Sequence, residues 1–96
     1  MKSRKSKDLQ KVLLKKGFVL EPEKDHHQFY YLKIDGKKQN IYTYFSHGKR
    51  DYDKSLMSSI KKQLKFTETK LAADFFDCPM TAEQYIQMLK RDGNLK

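Results

Sequence analysis

A chain of 96 residues with a formal net charge of +9 has room for one domain with a small core, not two. The single cysteine, Cys78, excludes an internal disulfide, and the lack of a long apolar run excludes a membrane-spanning helix. No signal-peptide pattern is read, so the expected location is the cytoplasm. The charge is uneven: residues 1–70 hold 18 of the 21 Lys and Arg and a net of +10, whereas residues 71–96 carry a net of −1. An anionic partner is expected on the basic part, whether nucleic acid or an acidic protein surface.

In chain order, residues 6–16 read as a helix, with Ser6 as N-cap and Asp8 in the first turn. Leu9, Val12, Leu13 and Lys16 share a helical spacing, leaving Lys7, Lys11 and Lys15 for solvent. Gly17 supplies the left-handed stop. Phe18-Val19-Leu20 reads as a short strand, with Pro22 marking an edge position, and Glu21 to Asp25 as a loop. His27 to Ile34 is a second strand. Asp35-Gly36 is the dipeptide that a type I′ hairpin turn prefers, and Gln39 to Phe45 forms the third strand. Ser46 to Arg50 is a basic loop. Asp53 caps a second helix, with Leu56, Met57, Ile60 and Leu64 along one side. Both helices are expected on one face of the sheet. Leu71, Ala72, Phe75 and Phe76 suggest a short third helix, stopped at Cys78-Pro79. Thr81 to Gln84 is a capping box, and Met80 with Tyr85 has the spacing of a hydrophobic staple for a last helix that ends at Gly93.

The residues that can carry chemistry are few. The tandem His26-His27 opens the second strand, and imidazole is the side chain suited to moving protons near neutral pH. Adjacent strand residues point to opposite faces. Leu32 and Ile34 look like core residues, which puts Tyr30, Gln28 and His26 on their side. His27 then shares the open face with Phe29, Tyr31 and Lys33. A bulge near Asp25 would reverse this assignment. His47 lies beside Gly48, Lys49 and Arg50, where two cations near a glycine suit a phosphate contact. Lys24 and Lys33 flank the histidine strand as further phosphate-contact candidates. No metal is expected, because no Cys, His or carboxylate cluster has ligand spacing, and no cofactor motif is present. The aromatics Phe29, Tyr30, Tyr31, Tyr42, Tyr44 and Phe45 offer stacking surfaces for unpaired bases, but about half of them must point inward.

Several segments taken in order resemble one family. They are Lys11 to Leu20, Lys24 to Phe29, Gly36-Lys37-Lys38, Ser46-His47-Gly48 and Leu56 to Leu64. Their layout is similar to the HicA-type toxins of prokaryotic toxin–antitoxin pairs over about residues 6–66. The resemblance implies an α+β fold like that of double-stranded-RNA-binding domains, an α-β-β-β-α order around a three-stranded antiparallel sheet. It also implies a metal-independent endoribonuclease that cuts messenger RNA with one strand-entry histidine, here His26 or His27. Parity favours His27. A HicB-like antitoxin is the implied partner. Two features depart from the family pattern. Its Gly-Ser before the histidine is Lys24-Asp25 here, and residues 67–96, expected as a helical extension packed on the same domain, have no counterpart in the minimal toxin.

The expected function is therefore a small cytoplasmic RNA-cleaving toxin. Two other readings fit the same charge pattern: a non-catalytic RNA-binding module and a basic protein-interaction adaptor.

Overall fold

The computed structural model describes all residues except Asp25, His26, His47, Cys78 and Lys96, and only the backbone of residues 22–24. Among the described residues the order is β1 (Arg4–Lys5), α1 (Ser6–Lys15), β2 (Phe18–Lys24), β3 (His27–Ile34), β4 (Lys37–Ser46), β5 (Asp51–Tyr52), α2 (Lys54–Gln63), α3 (Thr69–Phe76) and α4 (Ala82–Arg91). Strands β2, β3 and β4 form an antiparallel sheet in that order, and β1 pairs with β5 in a separate short ladder. This is the expected α+β architecture, consistent with the double-stranded-RNA-binding-domain-like fold.

Local chemistry accounts for most element ends. Asp35 and Gly36 both take positive φ, 51° and 78°, the pair of left-handed residues a type I′ turn needs, and the β3–β4 hairpin closes around them. Gly17, at φ 97°, ends α1 and turns the chain into β2, where its carbonyl accepts from the Lys33 amide at 3.0 Å. Asp53 caps α2 by accepting from the Leu56 amide at 2.9 Å. The Thr81–Gln84 box is formed in both directions, with the Gln84 amide donating to Thr81 Oγ1 and the Thr81 amide to Gln84 Oε1.

Three expectations are corrected. Ser6 is not the N-cap of α1 but its first residue, and Lys5 takes the cap position without a side-chain cap bond. The β1–β5 ladder delivers the chain to Ser6 in extended form. There the Arg50 carbonyl already accepts from the Ser6 amide at 2.7 Å, while Ser6 Oγ accepts from Gln10. Strand β2 runs to Lys24 rather than stopping at Leu20, because an edge strand needs only one paired side and tolerates polar residues on the other. Strand β4 likewise extends two residues earlier and one later than read from the sequence.

The helices cover one face of the sheet. Leu9 and Leu13 of α1 and Met57 and Ile60 of α2 are buried in one core with Tyr30, Leu32, Ile41 and Phe45 from the sheet. Polar atoms at this interface are matched: Tyr30 Oη donates to Gln10 Oε1 at 2.6 Å, and Thr43 Oγ1 to Gln63 Oε1 at 2.5 Å.

Helices α3 and α4 add an aromatic cluster to the same core. The Tyr85 ring lies 4.8 Å from Phe75, 5.3 Å from Phe66 and 6.0 Å from Phe18, centroid to centroid. Its hydroxyl donates to the Leu64 carbonyl at 2.8 Å. Lys16 is buried against α3, where Nζ donates to the Phe75 carbonyl and sits 4.7 Å from the Phe75 ring centroid. At the N-terminus Arg4 Nη2 donates to both carboxylate oxygens of Asp77.

Burial raises the Tyr85 hydroxyl far above the ordinary phenol pKa of 10.0, and burial moves Tyr30 and Tyr52 the same way. The native state thus holds these protons more tightly than the unfolded chain. Their contribution is complete below about pH 10 and is lost as pH climbs above it. We expect the stability advantage of wild type over Tyr85→Phe to be constant at about pH 7–9 and to shrink by about pH 11. Paired denaturant titrations read this difference, and a difference that stays flat across that range would contradict it.

Candidate functional site

The face of the sheet opposite the helices is set by strand alternation. Between His27 and Tyr31 the register of β3 on β4 is unbroken: His27 faces Ser46, Phe29 faces Tyr44 and Tyr31 faces Tyr42. The irregularity at this end of the sheet lies on the β2 side, between Glu21 and Lys24, so it does not rotate β3. Tyr30 and Leu32 point into the core, and His27, Phe29 and Tyr31 stand on the open side. The His27 ring lies 5.2 Å from Tyr44, nearly perpendicular to it, and 6.2 Å from Phe29. His27 is half-buried by these neighbours.

Pairing of His27 with Ser46 brings the basic loop to the same end of the sheet. That end is pinned from below. Tyr52 is buried against Phe45, and its hydroxyl accepts from the Ser46 amide at 2.9 Å. Lys49 donates its amide to the Ser46 carbonyl at 3.3 Å, and the Arg50 carbonyl is tied to the start of α1. Lys49 and Arg50 line an open groove of about 950 Å³ together with Lys5, Lys7 and Asp8 of the α1 entry. Four cations against Asp8 and Asp51 give the groove a positive balance suited to phosphate.

Of the other site candidates, Lys33 lies apart from His27. Lys33 is exposed on the open face, six residues along β3 from His27, or about 20 Å at strand rise. It stands opposite Lys38, so it serves the far end of the sheet. Lys24 pairs with His27 through the backbone, and its side chain is not described. His26 and His47 lie outside the described residues. Among the described residues no three His, Cys, Asp or Glu cluster as a metal site, and no helix is long and apolar enough to cross a membrane.

Sequence reasoning passed over Lys5 and Lys7 as site residues, whereas Tyr42 and Tyr44 were among the stacking candidates without an assigned face. Lys5 and Lys7 join the groove only because the β1–β5 ladder folds the N-terminal segment beside the basic loop. Tyr42 and Tyr44 reach the open face together with Phe29 and Tyr31, which alternation in β4 would have separated from Phe45 once the β3–β4 register was known.

Comparison with known proteins agrees with this layout. Residues 6–66 match the family described as HicA toxin of bacterial toxin–antitoxin. No curated protein and no solved structure matches the chain. The matched segment runs from the first residue of α1 through the end of α2 and holds His27, the sheet and the basic loop. Spanning well over half of the sequence, it establishes that this chain belongs to the HicA family of bacterial toxins, whose members act with an antitoxin partner.

Proposed function

We propose that the protein is a cytoplasmic toxin that cuts messenger RNA without a metal ion, with His27 as the general base, and that a HicB-like antitoxin restrains it. The observation that carries this reading is the position of the His27 imidazole on the uncovered side of the sheet, beside Tyr44 and at the end where the basic loop begins.

The chemistry needs few parts. The His27 imidazole takes the proton from a ribose 2′-hydroxyl, and the 2′-oxygen attacks the adjacent phosphorus. The bond from phosphorus to the 5′-oxygen breaks, leaving a 2′,3′-cyclic phosphate and a 5′-hydroxyl. The departing 5′-oxygen takes a proton from a second group, for which the sequence offers His26 and His47. Charge growing on the phosphate oxygens is met by Lys49 and Arg50. Lys24 flanks the same strand entry. The family's Gly-Ser before the histidine is the bulkier Lys24-Asp25 in this sequence, so the rate of cutting is the sharpest measure of the proposal.

Purified protein is expected to cut unpaired RNA in excess chelator and to leave cyclic-phosphate ends. Expression alone is expected to stop growth, and a small acidic protein from the neighbouring reading frame to relieve the arrest. RNA that stays intact through long incubation while still binding the protein would favour the non-catalytic RNA-binding module instead. Binding would then be strongly salt-dependent and indifferent to His27.

A further inference from the structure

The open face of the sheet carries a continuous run of rings. Starting at His27, the centroid separations are 5.2 Å to Tyr44, 5.5 Å from Tyr44 to Phe29, 6.1 Å from Phe29 to Tyr42 and 5.0 Å from Tyr42 to Tyr31. Lys38 Nζ lies 4.2 Å from the Tyr31 ring centroid and closes the far end, opposite Lys33 in register. Tyr42 and Tyr44 are 38% and 41% exposed, although both sit well inside β4. The core does not need them, because Tyr30 and Phe45 supply the rings on the buried side of the same strands.

Two chemistries meet on this face. Exposed ring faces hold planar π-systems, and lysine ammonium groups hold phosphate. An unpaired nucleic-acid strand offers both at once. A duplex keeps its base faces stacked inside and cannot lay them on a sheet. Glu21 is an acid among the described residues of this face. It is bonded to Lys38 at 3.2 Å, so it trims the local positive charge without reversing it beside Lys33. The run also begins at the imidazole, so a strand lying along it passes the proposed reacting group.

We propose that the paired rings Phe29–Tyr44 and Tyr31–Tyr42 form a stacking subsite for two successive unpaired bases, adjoining the nucleotide whose ribose meets His27. This rests on the nuclease reading above. Phe29–Tyr44 takes the base next to the cut linkage, Tyr31–Tyr42 takes the one beyond, and Lys33 and Lys38 meet the phosphate that follows. The subsite makes the protein select single-stranded RNA by the shape and stacking of its bases, with little preference for their hydrogen-bonding edges.

The test uses the full chain and a labelled 2′-fluoro RNA of about eight nucleotides, long enough to cover the face and lacking the hydroxyl needed for cutting. Tyr42→Thr and Tyr44→Thr keep strand-forming residues at exposed positions and are expected each to weaken single-strand binding roughly tenfold. Tyr44→Phe is expected to bind as wild type. Because the chain has six tyrosines and no tryptophan, stacking is also read in the wild type as quenching of tyrosine emission by the single strand and not by a blunt duplex. Unchanged binding by both Thr variants, binding without quenching, or an equal loss on duplex would overturn the subsite. So would variants that keep RNA binding and lose only the antitoxin, which would give the face to the protein partner. The two proposals fail separately: wild type that binds and quenches yet never cuts unmodified RNA leaves the subsite standing and removes the nuclease reading.

Discussion

Replacing His27 with Ala is expected to lower the rate of RNA cleavage by about 10²–10⁴-fold, the usual contribution of a positioned acid–base group. Its effect on stability should be small. His27 sits at the first position of β3, half-buried, and its ring contacts with Phe29 and Tyr44 are cross-strand and same-face pairs worth about 0.2–1 kcal/mol each. A large loss of activity with a small loss of stability separates a chemical role from a structural one. His27→Gln sharpens the separation. It keeps a side chain of similar reach that can hydrogen-bond to substrate but cannot take a proton near neutral pH. Single-turnover cleavage in chelator, with the melting temperature measured beside it, gives both numbers for each variant. If His27→Ala cuts like wild type while His26→Ala is inactive, the base is the neighbouring imidazole. If both variants cut normally, neither histidine of the tandem is the base and the mechanism fails. In cells, the same variant should be expressed without growth arrest and should still be captured by an antitoxin that recognises more of the surface than one imidazole.

The parts of the structure that were legible in the sequence are those fixed by neighbouring residues. Asp35-Gly36 specifies its turn through two backbone conformations that few other dipeptides accept. Thr81 and Gln84 specify a helix start by reciprocal bonds three residues apart. Alternation along β3 assigned His27 to the open side, since strand periodicity holds wherever the register is unbroken. What escaped depends on segments far apart in the chain. The pairing of β1 with β5 joins residues nearly fifty positions apart, and it alone explains both the misread cap at Ser6 and the recruitment of Lys5 and Lys7 to the groove. No glycine marks the end of α2, where the left-handed residue is Lys65, at φ 69°. The aromatic run was half legible. Each strand shows which of its own rings share a face, but only the register of β3 on β4 shows that the two sets meet.

Tyr85→Ala is expected to be the most destabilising single change considered, although Tyr85 lies 19 residues beyond the segment that matches the family. The side chain is fully buried among Phe18, Phe66 and Phe75, and Phe18 belongs to β2 of the sheet. Truncating a large buried aromatic costs about 3–5 kcal/mol, part of it in the cavity left behind. Losing the hydroxyl also leaves the Leu64 carbonyl without its donor at the end of α2. A domain of this size is stable by only about 5–14 kcal/mol in total. Loss of about a fifth or more of that margin shifts the melting temperature down by at least about 12 °C. Tyr85→Phe keeps the rings together and gives up one hydrogen bond, so it should cost only about 1 kcal/mol. The pattern of hydrogen exchange then shows how the C-terminal helices relate to the rest. Cation and carbonyl meet at Lys16 and Phe75, and rings meet at Phe18 and Tyr85, so α1 and β2 both lean on α3 and α4. Protection of β3 and β4 amides should therefore fall together with protection of α4 in Tyr85→Ala, as expected for one cooperative unit. Loss confined to α4, with the β3–β4 amides protected as in wild type, would mean that residues 67–96 are an appendage on a toxin fold that stands without them.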